Sequence, residues 1–428
     1  MTKPMRIALL MTGNELMSGV TVDSNSAMIA RRLEPLNLRV EQRVTIGDDP
    51  DRLTAELLRL SAVSDLILVN GGLGPTIDDL TAQCVARACA VELVLNEQAD
   101  QHVRDWCQAR GFAANEANLK QAWLPDGCEL VHNPVGSAVG FRVSLNNCQV
   151  VCTPGVPGEL RAMLDQQILP WLAHQYPQSD RVTIKRLQLF GIGESSIQQM
   201  VQEAMPDWPA EIELGFRAGA PSLELKVSCF SDQYESMRSD CEHAIRRLFA
   251  DYIFAEGDVN LQQSMVELLR SRNKKIATAE SCTGGLIASM LTEIPGSSAV
   301  FEGGFVTYSN RMKQQMLGVS EESLTQHGAV SEQVVLEMAA GALRRSGADY
   351  AVAVSGVAGP DGGSDAKPVG TVWIAWGALD TLQAREFYMP RARTLFQVMV
   401  AATALDLVRR EILGIQTQPR YFRERAPR

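Results

Sequence analysis

Apolar positions along this chain follow two rhythms, and the change from one to the other marks most of its elements. Residues 6–11 (Arg-Ile-Ala-Leu-Leu-Met), Leu66-Ile67-Leu68-Val69, Lys275-Ile276-Ala277-Thr278 and Ala351-Val352-Ala353-Val354 are short apolar runs, each followed within a few residues by glycine. Runs of this length read as strands buried on both faces. Between them the apolar residues fall three and four apart, as in Met28, Ile29 and Leu33, in Leu286, Ile287, Met290 and Leu291, and in Val334, Met338 and Leu343. That spacing predicts helices with one buried face. Strands alternating with helices, with glycine loops after the strands, predict parallel α/β sheets, whose ligands bind outside the carboxyl ends of the strands.

The pattern changes in the middle. After Tyr176-Pro177-Gln178-Ser179, residues 182–190 and 223–230 read as strands. Residues 195–205 and 234–252 read as helices, the second with Met237, Ile245 and Leu248 along one stripe. Two strands and two helices predict a small α+β module over 178–254, between α/β domains at 1–175 and 257–415. Residues 416–428 form a Pro/Arg-rich tail expected to be flexible.

Length and composition narrow the possibilities. A chain of 428 residues holds about two or three domains. A formal charge of −10 argues against a primary nucleic-acid partner. The nine cysteines form no Cys-x-x-Cys and no metal-like pairing with the five histidines, so they read as free thiols in a reducing cytosol. Neither a signal-peptide core nor an apolar run of membrane-spanning length is present. The expectation is a cytoplasmic protein that does not engage membranes.

The last third carries a candidate nucleophile. Ser281 stands in Ala279-Glu280-Ser281-Cys282-Thr283-Gly284-Gly285, between a strand and the first turn of a helix. Backbone N–H groups and the helix dipole at that point predict a place for an oxyanion or a phosphate. A serine hydroxyl needs a base, and no histidine is near in sequence. Tyr308 and Lys313 follow, with Ser309 and Asn310 as helix caps, so Lys313 falls in the first turn or so of the next helix. A lysine is a base only when neutral, which burial among Met312, Met316 and Leu317 favours. The Tyr-to-Lys spacing of five is not the Tyr-x-x-x-Lys of a reductase, and Ser281 lacks the Ser-x-x-Lys partner of a penicillin-binding enzyme. By spacing alone, the same residues also describe a helix cap, a core tyrosine and a solvated lysine. Gly328, Ser331, Gly356 and Gly359 lie in small-residue turns that allow close approach to an anion, although such turns are more often plain turns.

The region resembles the nicotinamide-mononucleotide amidohydrolase family, the C-terminal domain of CinA-type (competence/damage-inducible) proteins. The resemblance covers roughly residues 260–412. It rests on Thr278 to Gly285, Pro295-Gly296-Ser297-Ser298, Gly304 to Asn310, Lys313, Gly328-Ala329-Val330-Ser331-Glu332, Ser355 to Gly363 and Lys367 to Val372. It implies Ser281 as nucleophile, assisted by Lys313 and Tyr308, acting on the carboxamide of nicotinamide mononucleotide to release ammonia. Thr283, Gly284, Gly285, Gly328, Ser331, Gly356 and Gly359 are the candidate substrate-binding positions. No cofactor is expected. Cys282 is expected to be a small buried core residue.

The first third offers a different chemistry. Leu66–Val69 leads into Asn70-Gly71-Gly72-Leu73-Gly74-Pro75-Thr76-Ile77-Asp78-Asp79-Leu80-Thr81. Gly71, Gly72 and Gly74 can cradle phosphates, and Asp78 and Asp79 suit a divalent metal such as Mg²⁺ shared with phosphate oxygens. Either aspartate could instead cap the next helix. This region resembles the MoaB/MogA-like molybdopterin-binding-type domain found at the N-terminus of CinA-like proteins. The match extends over residues 4–172 through Thr12-Gly13-Asn14-Glu15-Leu16, Gly47-Asp48-Asp49, Asn133 to Ala138 and Thr153 to Leu160. It implies metal-dependent ADP-ribose pyrophosphatase activity, with Asp48 and Asp79 as the acidic pair. Asn70 stands where the family usually has threonine. The middle module is similar to the KH-like linker of the same family, but Gly191-Ile192-Gly193 is not the Gly-x-x-Gly clamp of an RNA-binding KH loop. A structural or dimerisation spacer is the expectation, and with it a homodimer.

The resulting fold class is α/β: two parallel-sheet α/β domains joined by a small α+β KH-like module. The expected partners are the two nucleotides, nicotinamide mononucleotide and ADP-ribose. Two rivals remain: a non-catalytic molybdopterin-type binding module attached to an amidase, and a competence or recombination accessory that works through partners.

Overall fold

The computed structural model describes residues 5–176 and 182–420. The junction after Tyr176 and tail residues 421–428 lie outside the described residues. The molecule divides into two compact units. One holds the chain up to Thr183 together with Phe230–Asp232, and the other holds Ile184–Cys229 and everything from Gln233 onward.

In the first unit a six-stranded sheet runs in the order Val40–Ile46, Ile7–Thr12, Leu66–Asn70, Cys148–Thr153, Gly140–Leu145, Glu129–Val131. The first four strands are parallel, and the last two turn back antiparallel. Ile7–Thr12 and Leu66–Asn70 are buried at every position because helices cover both faces. Ala8, Leu10, Ile67 and Val69 pack on Leu53, Leu57 and Val85. Ile7, Leu9, Leu66 and Leu68 face the other way, onto Met28, Ile29 and Leu33. The period-2 pleat thus divides one continuous apolar run between two cores.

The second unit contains two sheets. Its five-stranded sheet runs Phe301–Val306, Ile276–Glu280, Tyr350–Gly356, Thr371–Gly377, Gln383–Tyr388. The first three strands are parallel and the last two antiparallel, so the sheet expected to be parallel is mixed. One face carries Ala277, Ala279, Ala351, Ala353 and Ala375, and these small side chains pack in one core with Val334, Val335 and Met338 of the helix Glu332–Ser346. The other face carries Ile276, Val352, Val354 and Ile374 against Phe396, Val400 and Leu405 of the helix Arg393–Leu413.

The four-stranded sheet of this unit runs Glu213–Ala218, Leu223–Cys229, Thr183–Leu189, Ile253–Glu256 and packs on the helices Glu194–Ala204 and Glu235–Leu248. Two of its four strands, Glu213–Ala218 and Ile253–Glu256, were not evident from the apolar pattern. This sheet is joined firmly to its neighbour. Phe190 is buried in the same core as Ile276 and Phe396. Asp406, fully buried, pairs with Arg409 at 2.7 Å and Arg410 at 2.6 Å. Arg409 donates to the Asp251 carbonyl (3.2 Å), Arg410 to the Thr417 carbonyl (2.8 Å), and Thr417 Oγ1 to the Asp251 carboxylate (2.5 Å). Residues 416–420 of the expected tail are therefore tied down, and Arg420 N–H donates to Gly191 O at 2.6 Å.

Candidate active sites

The loops after the parallel strands build both sites. In the second unit the strand Ile276–Glu280 ends at Ser281, and the helix Leu286–Thr292 begins five residues later behind Gly284 and Gly285, both left-handed with φ of 65° and 99°. Ser281 is 8% exposed, and its N–H donates to Val354 O on the neighbouring strand. Across from it, Ser309 caps the helix Asn310–Leu317 by accepting Met312 N–H at 3.3 Å. The first turn of that helix carries Lys313, which is 1% exposed.

Lys313 Nζ lies 3.1 Å from Ser281 Oγ, 2.9 Å from Thr307 O and 3.3 Å from Tyr308 O. All three neighbours are neutral oxygens. Burial, unopposed by a carboxylate, lowers the Lys313 pKa below the ordinary lysine range. A neutral amine has two N–H bonds and one lone pair. Two carbonyls and one hydroxyl are the partners such an amine needs to draw the proton from Ser281. Burial pushes the adjacent Cys282 thiol up to about 12, so the thiolate is suppressed.

The helix N-terminus differs from expectation. Glu280, fully buried, accepts Thr283 Oγ1 at 2.7 Å and the N–H groups of Gly285, Ile287 and Ala288 at 3.0, 3.0 and 2.8 Å. The donors expected to meet an oxyanion or phosphate are already engaged by a carboxylate of the protein itself, which satisfies the orphan N–H groups of the first turn. Gly284 N–H likewise donates to Ser281 O. Glu280 stood inside the sequence motif, but its four hydrogen bonds depend on how the turn closes.

The other predicted residues are distributed unevenly. Tyr308 is 64% exposed, and its phenol meets Arg393 at 3.4 Å; only its carbonyl reaches Lys313. Arg393 also donates to Gly359 O at 2.8 Å, and Gln397 donates to Cys282 O at 2.8 Å. Both belong to the last helix and were not identified from sequence; the only signal was the Arg391-Ala392-Arg393 run before it. Ser331 donates to Gly328 O, and Ser355, on the strand beside Ser281, donates to Ala329 O, which brings this turn to the same end of the sheet. Gly356 remains inside its strand, opposite Val372.

In the first unit a cleft of about 390 Å³ opens at the carboxyl ends of the parallel strands. Gly71 and Gly72 have φ of 113° and 67°, and a β-carbon on Gly71 would lie 2.6 Å from Thr12 O, so the chain turns here only with glycine. Gly71 N–H donates to Thr153 O, which removes it from the expected cradle and leaves Gly72 and Gly74 in that role. Asp79 accepts Thr76 N–H at 2.8 Å and Thr76 Oγ1 at 2.6 Å; Asp78 also accepts from the Thr76 hydroxyl, which lowers its pKa. Asp48 accepts Asn14 N–H at 3.0 Å. Burial raises the Asp48 pKa, and Glu15, Asp78 and Asp79 add to the effect. Asn70 is buried, accepting from Asn25 and donating to Thr153 Oγ1 and Pro154 O, so it ties strand ends together. Among the described residues no three His, Cys, Asp or Glu side chains converge as a metal-holding group. No helix of the described residues is long and apolar enough to cross a membrane.

Comparison with known proteins gives a consistent result along the whole chain. The model of the CinA C-terminal domain matches residues 258–412, and that of the "Probable molybdopterin binding domain" matches residues 8–174. A CinA-like protein of Colwellia psychrerythraea is 48% identical over 425 residues, covering 98% of each chain. One from Shewanella frigidimarina is 40% identical over 410 residues, covering 96% of each. Among solved structures, the competence/damage inducible protein CihA from Agrobacterium tumefaciens aligns with 37% of this chain and 94% of its own, at 46% identity and a TM-score of 0.35.

Proposed function

The chain belongs to the CinA-like protein family, and from that premise we propose that its C-terminal site hydrolyses the carboxamide of nicotinamide mononucleotide. The observation that carries this reading is the buried Lys313 amine, 3.1 Å from Ser281 Oγ and without a carboxylate partner. Neutral Lys313 takes the Ser281 proton as Oγ attacks the amide carbon. The resulting ammonium gives that proton to the departing nitrogen, which leaves as ammonia from an acyl-serine ester. Lys313 then deprotonates a water that attacks the ester, and Ser281 leaves carrying the proton, freeing nicotinic acid mononucleotide. Arg393, beside the Tyr308 phenol, is a cation suited to the substrate's phosphate. The test is ammonia release from nicotinamide mononucleotide by the purified chain, run beside Ser281→Ala. Full activity in the variant would overturn the assignment.

A second activity is favoured by the acidic cleft. We infer ADP-ribose hydrolysis there, assisted by Mg²⁺ or a similar ion that Asp78 and Asp79 would help to hold. Asp48, Asp78 and Asp79 line the cleft with hard carboxylate oxygens but do not converge as a three-ligand group, so one or two of them would hold such an ion and phosphate oxygens and water would supply the remaining ligands. When bound, the ion would neutralise diphosphate charge and lower the pKa of a water. A reducing compartment belongs to the same proposal, since all nine cysteines are free.

A further inference from the structure

Two residues lining the N-terminal cleft, Thr12 and Gln121, carry a buried side-chain oxygen without a partner among the described residues; the Thr12 hydroxyl is a rotor, whereas the Gln121 oxygen can only accept. Gln121 lines the cleft and is 6% exposed. Its Nε2 donates to Leu73 O at 3.3 Å, which fixes which way the amide faces, because the opposite orientation would set two carbonyl oxygens against each other. Its Oε1 is buried and accepts from no donor among the described residues. Leaving such an oxygen buried without a partner is unfavourable, because it has given up its hydrogen bonds to water. The Gln121 amide is held to the Leu73 carbonyl by that one bond. Its neighbour Lys120 grips the same loop from outside, donating to Thr76 O and, at 2.9 Å, to Asp79 O. Lys120 and Gln121 together hold the Leu73–Asp79 loop by three of its carbonyls.

The cleft also limits what can meet Gln121. Its lining contains five carboxylates (Glu15, Asp48, Asp78, Asp79 and Glu159) and neither Lys nor Arg. No aromatic side chain lines it, so it offers no stacking surface for a base. On the ADP-ribose reading, the portion of the ligand assigned to this cleft is the sugar and the diphosphate, whose charge a divalent ion would have to offset against the five carboxylates. A sugar brings hydroxyl donors, and an orphaned acceptor is the complement of one.

We propose that Gln121 is a specificity-determining residue of the N-terminal cleft, whose Oε1 accepts a hydroxyl of the sugar in a diphosphate-linked ligand. The proposal rests on the ADP-ribose reading of this cleft and adds a residue that senses whether the sugar hydroxyl is present. A site built around such an acceptor rejects a ligand lacking the donor far more strongly than an apolar pocket rejects an extra group.

The test is calorimetric titration of the full chain, in Mg²⁺ buffer, with ADP-ribose and each of its monodeoxy analogues, checking afterwards that the ligand is intact. In the unmodified protein one monodeoxy analogue is expected to bind about tenfold or more weakly than ADP-ribose. In Gln121→Met, ADP-ribose should weaken by a similar factor, while that one analogue loses nothing further. Two results overturn the proposal: unchanged ADP-ribose affinity in Gln121→Met, or an equal loss for every ligand, which would mean that the substitution merely loosens the loop. If the unmodified protein binds no ADP-ribose at all, the ADP-ribose reading itself fails, a result distinct from the other two.

Discussion

The two sites occupy equivalent places, both past the carboxyl ends of parallel strands, yet their electrostatics are opposed. The N-terminal cleft is open and gathers carboxylates, among which Asp48 has its proton affinity raised by burial and by Glu15, Asp78 and Asp79. The C-terminal site buries one lysine among neutral oxygens and lowers its proton affinity. Its nearby carboxylate, Glu280, is engaged by three backbone N–H groups and a hydroxyl. One architecture therefore produces an acidic surface at one site and, at the other, a pocket that favours the neutral form of a lysine. What distinguishes them is where each carboxylate finds its hydrogen-bond donors.

The strongest way to break this comparison is to disable each site separately. Ser281→Ala should lower deamidation by about three orders of magnitude or more and leave ADP-ribose cleavage unchanged. EDTA and Asp79→Asn should do the reverse. Both activities measured on one preparation check this, and loss of deamidation under chelation would sink the metal-free serine mechanism. Next in size is Lys313. Lys313→Arg keeps the charge but cannot act as a base in the working range, so it should be nearly as damaging as Lys313→Ala. Activity of the unmodified chain should rise with pH through the lowered Lys313 pKa. The same lowering has a stability consequence with a definite sign. Between the lowered folded value and the ordinary lysine value, the unfolded chain binds a proton that the folded one does not, so stability increases with pH across that window. Below the folded value the penalty is constant. Lys313→Met should flatten this slope in denaturant titrations run at several pH values.

A smaller effect is expected at Glu280. Glu280→Gln removes a charged acceptor from three N–H groups and should destabilise by about 3 kcal/mol, read as a shift of the unfolding midpoint, with a loss of turnover as the Ser281 turn loosens. The smallest is Cys282→Ala. Its thiol is held up to about 12 by burial, so deamidation should stay close to that of the unmodified chain. An inactive Cys282→Ala would move the nucleophile by one residue.

The strands before both sites were legible because each is a short apolar run with a glycine loop after it, whereas Ser281 and Lys313 were singled out by the family resemblance, since their spacing alone also described a helix cap and a solvated lysine. The rest depended on tertiary partners. Tyr308 lies two residues past the strand Phe301–Val306 and faces outward, and nothing in Thr307-Tyr308-Ser309 signals which way the phenol turns. Glu213–Ala218 has no buried residue and contains Gly215, so only its pairing with Leu223–Cys229 makes it a strand. Phosphate contacts assigned to glycine turns were legible as turns, but the chain's own acceptors occupy several of those N–H groups, as Thr153 does for Gly71 and Glu280 for Gly285. Asp79 was visible as an acid beside a glycine loop. Its orientation comes from Thr76, and the position of the loop from Lys120.

The helix Arg393–Leu413 begins beside the Ser281 turn, where Gln397 holds the Cys282 carbonyl, and carries in its later turns the Asp406 charge ring, where Arg409 reaches back to Asp251. In a nascent chain these partners emerge far apart in time. The N-terminal sheet has all its strands once residue 153 has been made. The Ser281 turn, by contrast, waits for more than a hundred further residues before its last support arrives, and Asp251 waits for Thr417 across 166 positions. Domains of a growing chain fold in order of synthesis. The cleft can therefore mature while translation is still under way, whereas the serine site is assembled only when the final helix docks.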